Sequence, residues 1–129
     1  MAGMVDIDRL VADWRAGADE EWTVANELFA HGRLRQGLFF AHLAVEKALK
    51  ALVCLRTHDL APRTHNLVRL SELAGLEPTP EVGAFLADLN RFGVIARYPD
   101  ERSVMPEPDR TGDYMARAGE VFQWLMRQL

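Results

Sequence analysis

Apolar side chains recur at steps of three and four residues along most of this 129-residue chain. That spacing is typical of α-helices with one buried face. It predicts helices over residues 7–30, 33–56, 65–75, 79–93 and from 111 onward. Because no run of alternating β-branched residues occurs, the predicted fold class is all-α, with five helices packed antiparallel where loops are short.

Residues with capping side chains mark the predicted helix starts. Asp6 or Asp8 is expected to cap the first helix, Thr64 the third and Thr111 the last, since their side-chain oxygens accept from free backbone N–H groups. Residues 94–110 hold three prolines and many charges, which predicts a long loop before the last helix. A loop of that length inside a small domain usually has a function.

Length and composition bound the class of protein. The chain is expected to form one domain over residues 1–129. Its single cysteine excludes a disulfide framework and a cysteine-rich zinc module. No apolar run is long enough for a transmembrane helix, and the first residues lack the basic start and apolar core of a signal peptide. We therefore expect a cytoplasmic protein without a membrane association, a metal or a cofactor.

The net charge of −4 conceals an uneven distribution. Residues 1–32 carry 2 basic and 7 acidic side chains, residues 33–69 carry 7 and 2, and residues 70–129 carry 6 and 10. An acidic total argues against a dedicated duplex-DNA binder. The basic middle segment nevertheless leaves room for a local site that takes a nucleotide or an acidic partner.

Three segments occur in order: FFAHLAVEKALKALV (Phe39–Val53), THNLVRLSELAG (Thr64–Gly75) and ARYPD (Ala96–Asp100). Together they resemble the signature segments of the HEPN domain family. The resemblance implies a short up-and-down helical bundle that often forms a homodimer. It also implies nucleotide or RNA binding and a minimal nucleotidyltransferase as partner, in a toxin–antitoxin pair.

Some members of that family are metal-independent ribonucleases, which carry an arginine followed by a histidine near the C-terminal helix. Here no histidine follows His65, so that pair is absent from the C-terminal region. Arg35 and His42 match the spacing, but about one such match is expected by chance. The resemblance therefore favours a binding or interaction module over an enzyme. An atypical ribonuclease and a dimeric scaffold without a small ligand remain as alternatives.

The histidines are the candidate catalytic residues, with His65 or His42 as acid or base and Arg97 or Arg35 as the cationic partner. Histidine suits this role because it exchanges protons near neutral pH. A phosphate could also bind where the helix after His65 and Asn66 begins. The structural alternative is that both residues only cap that helix, and that His42 is a semi-buried, hydrogen-bonded histidine.

The ARYPD segment supplies a second set of candidates. Arg97 could grip a phosphate with its fork of N–H groups, Tyr98 could stack on a base, and Asp100 completes the motif. The alternative is a structural latch in which Arg97 pairs with a buried carboxylate such as Glu46.

Two lysines on the second helix are candidates for holding a phosphate as point charges, Lys47 and Lys50. Glu46 precedes Lys50 by four residues, so a helix ion pair is expected, which on an exposed face contributes a few tenths of a kcal/mol. A solvated face or an ion-pair network is the alternative to phosphate binding.

Overall fold

A computed structural model describes residues 5–95, 106–107 and 109–129. The described residues form five α-helices and no strand, which confirms the all-α prediction. The helices are α1 (Ile7–Ala30), α2 (Leu34–Thr57), α3 (Leu67–Leu73), α4 (Pro80–Ile95) and α5 (Thr111–Met126). No helix in these ranges is long and apolar enough to cross a membrane.

The first two helices form a long antiparallel hairpin. Asp6 caps α1 by accepting from the backbone N–H of Arg9 at 3.1 Å. Gly32 turns the chain into α2 with a φ of +76°, a left-handed conformation that glycine adopts without strain. The interior of α1 runs unbroken through Gly17, where a Cβ would lie 3.2 Å from Cδ of Lys47 on α2. The missing side chain therefore lets the lysine stem lie against α1.

The central helix of the fold is α2, which contacts all four other helices. Its buried residues extend over more than one face, as its wide apolar surface predicts. Trp22 of α1 stacks on Phe122 of α5, with ring centroids 5.0 Å apart, so α5 also touches the hairpin. The largest fully buried side chains are Phe92, Phe122, Leu38, Leu49, Leu52, Leu67, Leu70, Leu86, Leu89 and Leu125.

The third helix begins later than predicted, and its N-cap is Asn66 rather than Thr64. The Asn66 side chain accepts from the backbone N–H groups of Val68 and Arg69. Thr64 instead accepts from the backbone N–H of Asn66, one step earlier in the turn. Asn90 on α4 accepts from the backbone N–H of the first helical residue and donates to Asn66, so tertiary contacts select this start.

The last two helices differ from the prediction only at their ends. α4 continues to Ile95, so it includes the first two residues of the predicted 94–110 loop. α5 begins at Thr111, but the preceding Arg110 provides no side-chain cap. The Thr111 hydroxyl donates to the Glu107 carbonyl at 3.0 Å, so Thr111 belongs to the helix and does not cap it.

Candidate functional site

Three polar side chains line one face of α2 inside the bundle: His42, Glu46 and Lys50. Their spacing of four residues places them on consecutive turns of the same face. They are 3%, 4% and 6% exposed, respectively. Charged residues are almost never this buried unless they are paired, so their partners decide what the cluster can do.

The Glu46 carboxylate is the centre of this cluster. Nζ of Lys50 lies 3.3 Å from its Oε2, and Nδ1 of His65 lies 3.1 and 3.2 Å from its two oxygens. Nδ1 of His42 lies 4.0 Å from Oε1. The Glu46–Lys50 pair is therefore buried, and other elements enclose it.

Neighbouring helices cover the cluster on two sides. The Trp14 ring of α1 lies under the Lys50 ammonium, with Nζ 5.3 Å from the ring centroid. Gly93 of α4 abuts His42, since a Cβ there would lie 2.8 Å from Cε1 of the imidazole. Packing by α1 and α4 thus excludes water from this face of α2. Helical periodicity alone does not determine whether the face is buried.

His65 is the exposed member of the group. Its side chain is 57% exposed, whereas that of Glu46 is 5% exposed. Because an ionised carboxylate only accepts hydrogen bonds, Nδ1 carries the proton that points to Glu46. In the neutral ring Nε2 then keeps its lone pair, on an imidazole that solvent and ligands can reach. A carboxylate that fixes a histidine tautomer in this way is also how hydrolases orient their general base.

The other predicted ligand residues around α2 already have partners within the chain. Asn66 caps α3 and bonds Asn90, as described above. Nζ of Lys47 lies 3.1 Å from the Glu21 carboxylate of α1. Both predicted phosphate-binding lysines therefore bind carboxylates of their own chain.

The basic charges of residues 33–69 do not converge into one groove along α2. Arg35 stands fifteen positions before Lys50, which is about 22 Å along the helix axis. At the far end of this span, the charges of Lys47 and Lys50 are neutralised by the acidic side chains with which they pair. Within residues 33–69, the loop before α3 is the part in which an exposed side chain, His65, contacts a buried carboxylate, Glu46.

The predicted candidates Arg97, Tyr98 and Asp100 lie outside the described residues. Their roles stay predictions, and so does the pairing of Arg97 with Glu46. The carboxylate of Glu46 already forms an ion pair with Lys50 and a hydrogen bond with His65.

A second group of polar side chains, which the sequence reasoning missed, surrounds an open cavity of about 720 Å³ between α4 and α5. Asp88 pairs with Arg91 at 2.8 Å and accepts from the Tyr114 hydroxyl at 3.0 Å. Burial, with a further contribution from the negative charge of Asp88, raises the pKa of Tyr114 well above its ordinary value. The remaining charged residues of its lining are Glu107, Arg110, Asp113 and Arg117.

The available sequence signal for this cavity was the spacing of Tyr114 and Arg117 on one face of α5, with Arg110 four residues before Tyr114. Basic and acidic side chains balance around it, so the cavity has no strong preference for an anion. In the described part of the chain, no three histidine, cysteine or acidic side chains lie together as a metal ion would require.

A family model described as HEPN domain matches residues 11–129. The chain therefore belongs to the HEPN family. In this HEPN domain the signature segment Phe39–Val53 lies within α2, so it supplies both the Glu46 cluster and the centre of the core. Membership makes the chain a general nucleotide- or RNA-related module. Neither a curated protein nor a solved structure shows significant similarity to it.

Proposed function

We propose that this HEPN-domain protein is a nucleotide- or RNA-binding interaction module whose ligand contacts His65. The single observation that carries the proposal is the pairing of an exposed imidazole with the buried carboxylate of Glu46. The hydrogen bond to Nδ1 holds the ring in one orientation before any ligand arrives, which lowers the entropy cost of binding.

The chemistry of the imidazole suits nucleotides. The neutral ring accepts at Nε2 from a ribose hydroxyl, and the protonated ring donates there to a phosphate oxygen. Lys50 neutralises Glu46 from inside the bundle, so the site does not present a bare carboxylate that would repel phosphate. Arg97 and Tyr98 are proposed as further ligand contacts on the strength of the family resemblance alone.

Thermal-shift titration with a panel of ribonucleotides and a short single-stranded RNA tests the binding. We expect at least one of them to raise the Tm of the wild-type protein, and His65→Ala to abolish that rise. His58→Asn is the matched control, because His58 is also exposed and asparagine tolerates its left-handed φ of +56°. Equal responses of the wild type and His65→Ala would overturn the assignment, as would no response to any ligand.

We further propose a minimal nucleotidyltransferase as the protein partner, in a toxin–antitoxin-like pair, and a homodimer as the assembly of this chain. The support is the HEPN resemblance, since proteins of this type are frequently encoded beside such an enzyme. Co-expression with a nucleotidyltransferase encoded next to this chain, followed by size-exclusion chromatography with light scattering, tests both. Separate elution of the two proteins contradicts the partner, and a monomer mass for this chain contradicts the dimer.

An atypical metal-independent ribonuclease is the second candidate, and the same His65–Glu46 contact favours it. A general base needs a fixed tautomer and an accessible nitrogen, and His65 has both. His42 is only 3% exposed beneath α4, so a substrate would not reach it without movement of that helix. We expect an enzyme of this kind to arrest growth when it is expressed without a partner, and His65→Ala to relieve the arrest. A wild-type protein that leaves growth unchanged and cuts no RNA in vitro contradicts this candidate.

A further inference from the structure

A shallow apolar groove runs between α4 and α5, on helices other than the one that carries Glu46. Two adjoining cavities of about 300 and 100 Å³ form it, and they share Val82, Glu120 and Val121. Val82 and Trp124 are half-buried, so part of each apolar side chain lines the groove and remains open to solvent.

Acidic side chains surround this apolar floor. Glu77, Glu81 and Glu120 line the two cavities and are exposed. None of the three makes a hydrogen bond or ion pair with a side chain among residues 5–95, 106–107 and 109–129. The one basic lining residue, Arg117, lies over the Phe85 ring, with its guanidinium carbon 5.4 Å from the ring centroid. With three acidic side chains and one basic side chain, the groove therefore has a net negative rim.

The size and charge of the groove argue for a helical segment of another protein. Sites for small molecules usually enclose about 300–1,000 Å³, and this groove is at the lower limit and open on one side. The negative rim repels phosphate, so a nucleotide is a poor occupant. An amphipathic helix places single apolar side chains into such a groove while its flanking charges meet the rim.

We propose that the α4–α5 groove, formed by Val82, Phe85, Val121 and Trp124 with its three glutamates, docks a basic amphipathic helix of a partner protein. An apolar side chain of that helix occupies the space beside Trp124, and its lysines or arginines pair with Glu77, Glu81 and Glu120. The surface is separate from the His65 site, so a chain can hold its ligand and its partner at the same time.

The test uses a fluorescently labelled helical peptide of about five turns, with leucines along one face and lysines elsewhere. A second peptide has glutamates in place of the lysines. We expect the full chain to bind the lysine peptide and not the glutamate peptide in fluorescence anisotropy. Charge removal by the triple substitution Glu77→Gln, Glu81→Gln and Glu120→Gln should weaken binding at least about tenfold, which is the loss of the rim attraction.

The matched control removes three other exposed glutamates, through Glu20→Gln, Glu27→Gln and Glu107→Gln. This control changes the net charge equally, so it should leave the affinity within about twofold of wild type. Val82→Ser tests the apolar floor of the groove. High salt screens the attraction between exposed charges, so the binding that remains there depends on apolar contact, and Val82→Ser should weaken it.

Three outcomes would overturn the proposal. The first is no binding of the lysine peptide to the wild type. The second is equal weakening by the two triple variants, which would indicate unspecific attraction to an acidic protein. The third is a homodimer that dissociates only in the groove variant, which would assign the groove to a second copy of this chain. Loss of nucleotide binding in His65→Ala leaves these results unchanged, because the two sites share no residue.

Discussion

Two carboxylates in this protein each pair with a basic side chain and contact a ring from another element, and their surroundings are opposite. Glu46 pairs with Lys50 one turn later on α2, and both side chains are at most 7% exposed. Asp88 pairs with Arg91 three residues later on α4, and these side chains are 42% and 38% exposed. Water can stabilise the second pair when one partner is lost, whereas the first pair depends on protein groups alone.

The rings that the two carboxylates contact also differ in their exposure. Buried Glu46 holds the exposed imidazole of His65, whereas half-exposed Asp88 holds the half-buried ring of Tyr114. Tyr114 packs on Phe85 and Phe92 of α4, so its hydroxyl contact supports packing. In this protein the buried acid thus orients the exposed ring of His65, whereas the half-exposed acid holds Tyr114 of α5 against α4.

The largest expected effect is that of Glu46→Gln, which leaves the Lys50 ammonium buried without a counter-charge. We expect the free energy of unfolding to fall by about 3–5 kcal/mol, measured by urea denaturation followed by circular dichroism. Adding Lys50→Met should recover much of this loss, because the buried charge is then gone. A loss below about 1 kcal/mol for the single variant would mean that the buried Glu46–Lys50 pair matters no more for stability than the exposed Asp88–Arg91 pair.

Gly93→Ala tests how closely α4 packs on the Glu46 cluster. The new methyl group would lie 2.8 Å from Cε1 of His42, so we expect a loss of about 1–3 kcal/mol. Gly83→Ala is the control on the same helix, where a Cβ meets open space, and its better helix propensity should stabilise by up to about 1 kcal/mol. Equal effects of the two substitutions in thermal unfolding would contradict close packing at Gly93.

Tyr114→Phe removes the hydroxyl that donates to Asp88 and should reduce stability by about 1 kcal/mol. The raised pKa of Tyr114 adds a pH dependence, because the folded protein favours the protonated hydroxyl. This contribution is complete below about pH 10, the ordinary tyrosine pKa, and is lost as the pH rises above it. Urea unfolding at a series of alkaline pH values should therefore show the difference between wild type and Tyr114→Phe shrinking. A constant difference would contradict the shift.

The smallest effect is expected for Arg69→Ala, which breaks an ion pair with Glu72 on α3. Both side chains are about 60% exposed, at 59% and 61%. The free energy of unfolding should fall by less than about 0.5 kcal/mol, and this loss should become smaller still in high salt, which screens exposed charges. A loss as large as that of Glu46→Gln would mean that burial does not separate the two classes of pair.

The helices could be predicted because local signals mark them. The apolar spacing gives α1, α2 and α5, and Asp6 and Gly32 mark the two ends of α1. The start of α3 could not be predicted in the same way. Thr64 and Asn66 both have capping side chains, and the choice between them depends on Asn90, which reaches the turn from α4.

The site could be predicted only in part, for a related reason. The four-residue spacing places Glu46 and Lys50 together, but only the neighbouring elements determine how far they are buried. Trp14 comes from α1, Gly93 from α4 and His65 from the loop before α3. The sequence segments that resemble the HEPN family thus contain the residues of the candidate site. Which of them are buried, as Glu46 and Lys50 are, and which is exposed, as His65 is, depends on how the helices pack.

The contact between Gly93 and His42 has a consequence for how this chain can change over evolution. With no side chain at one position, the imidazole at the other sets the spacing between α4 and α2. Among relatives of this protein, the two positions should therefore vary together in volume, with a larger residue at position 93 accompanied by a smaller one at position 42.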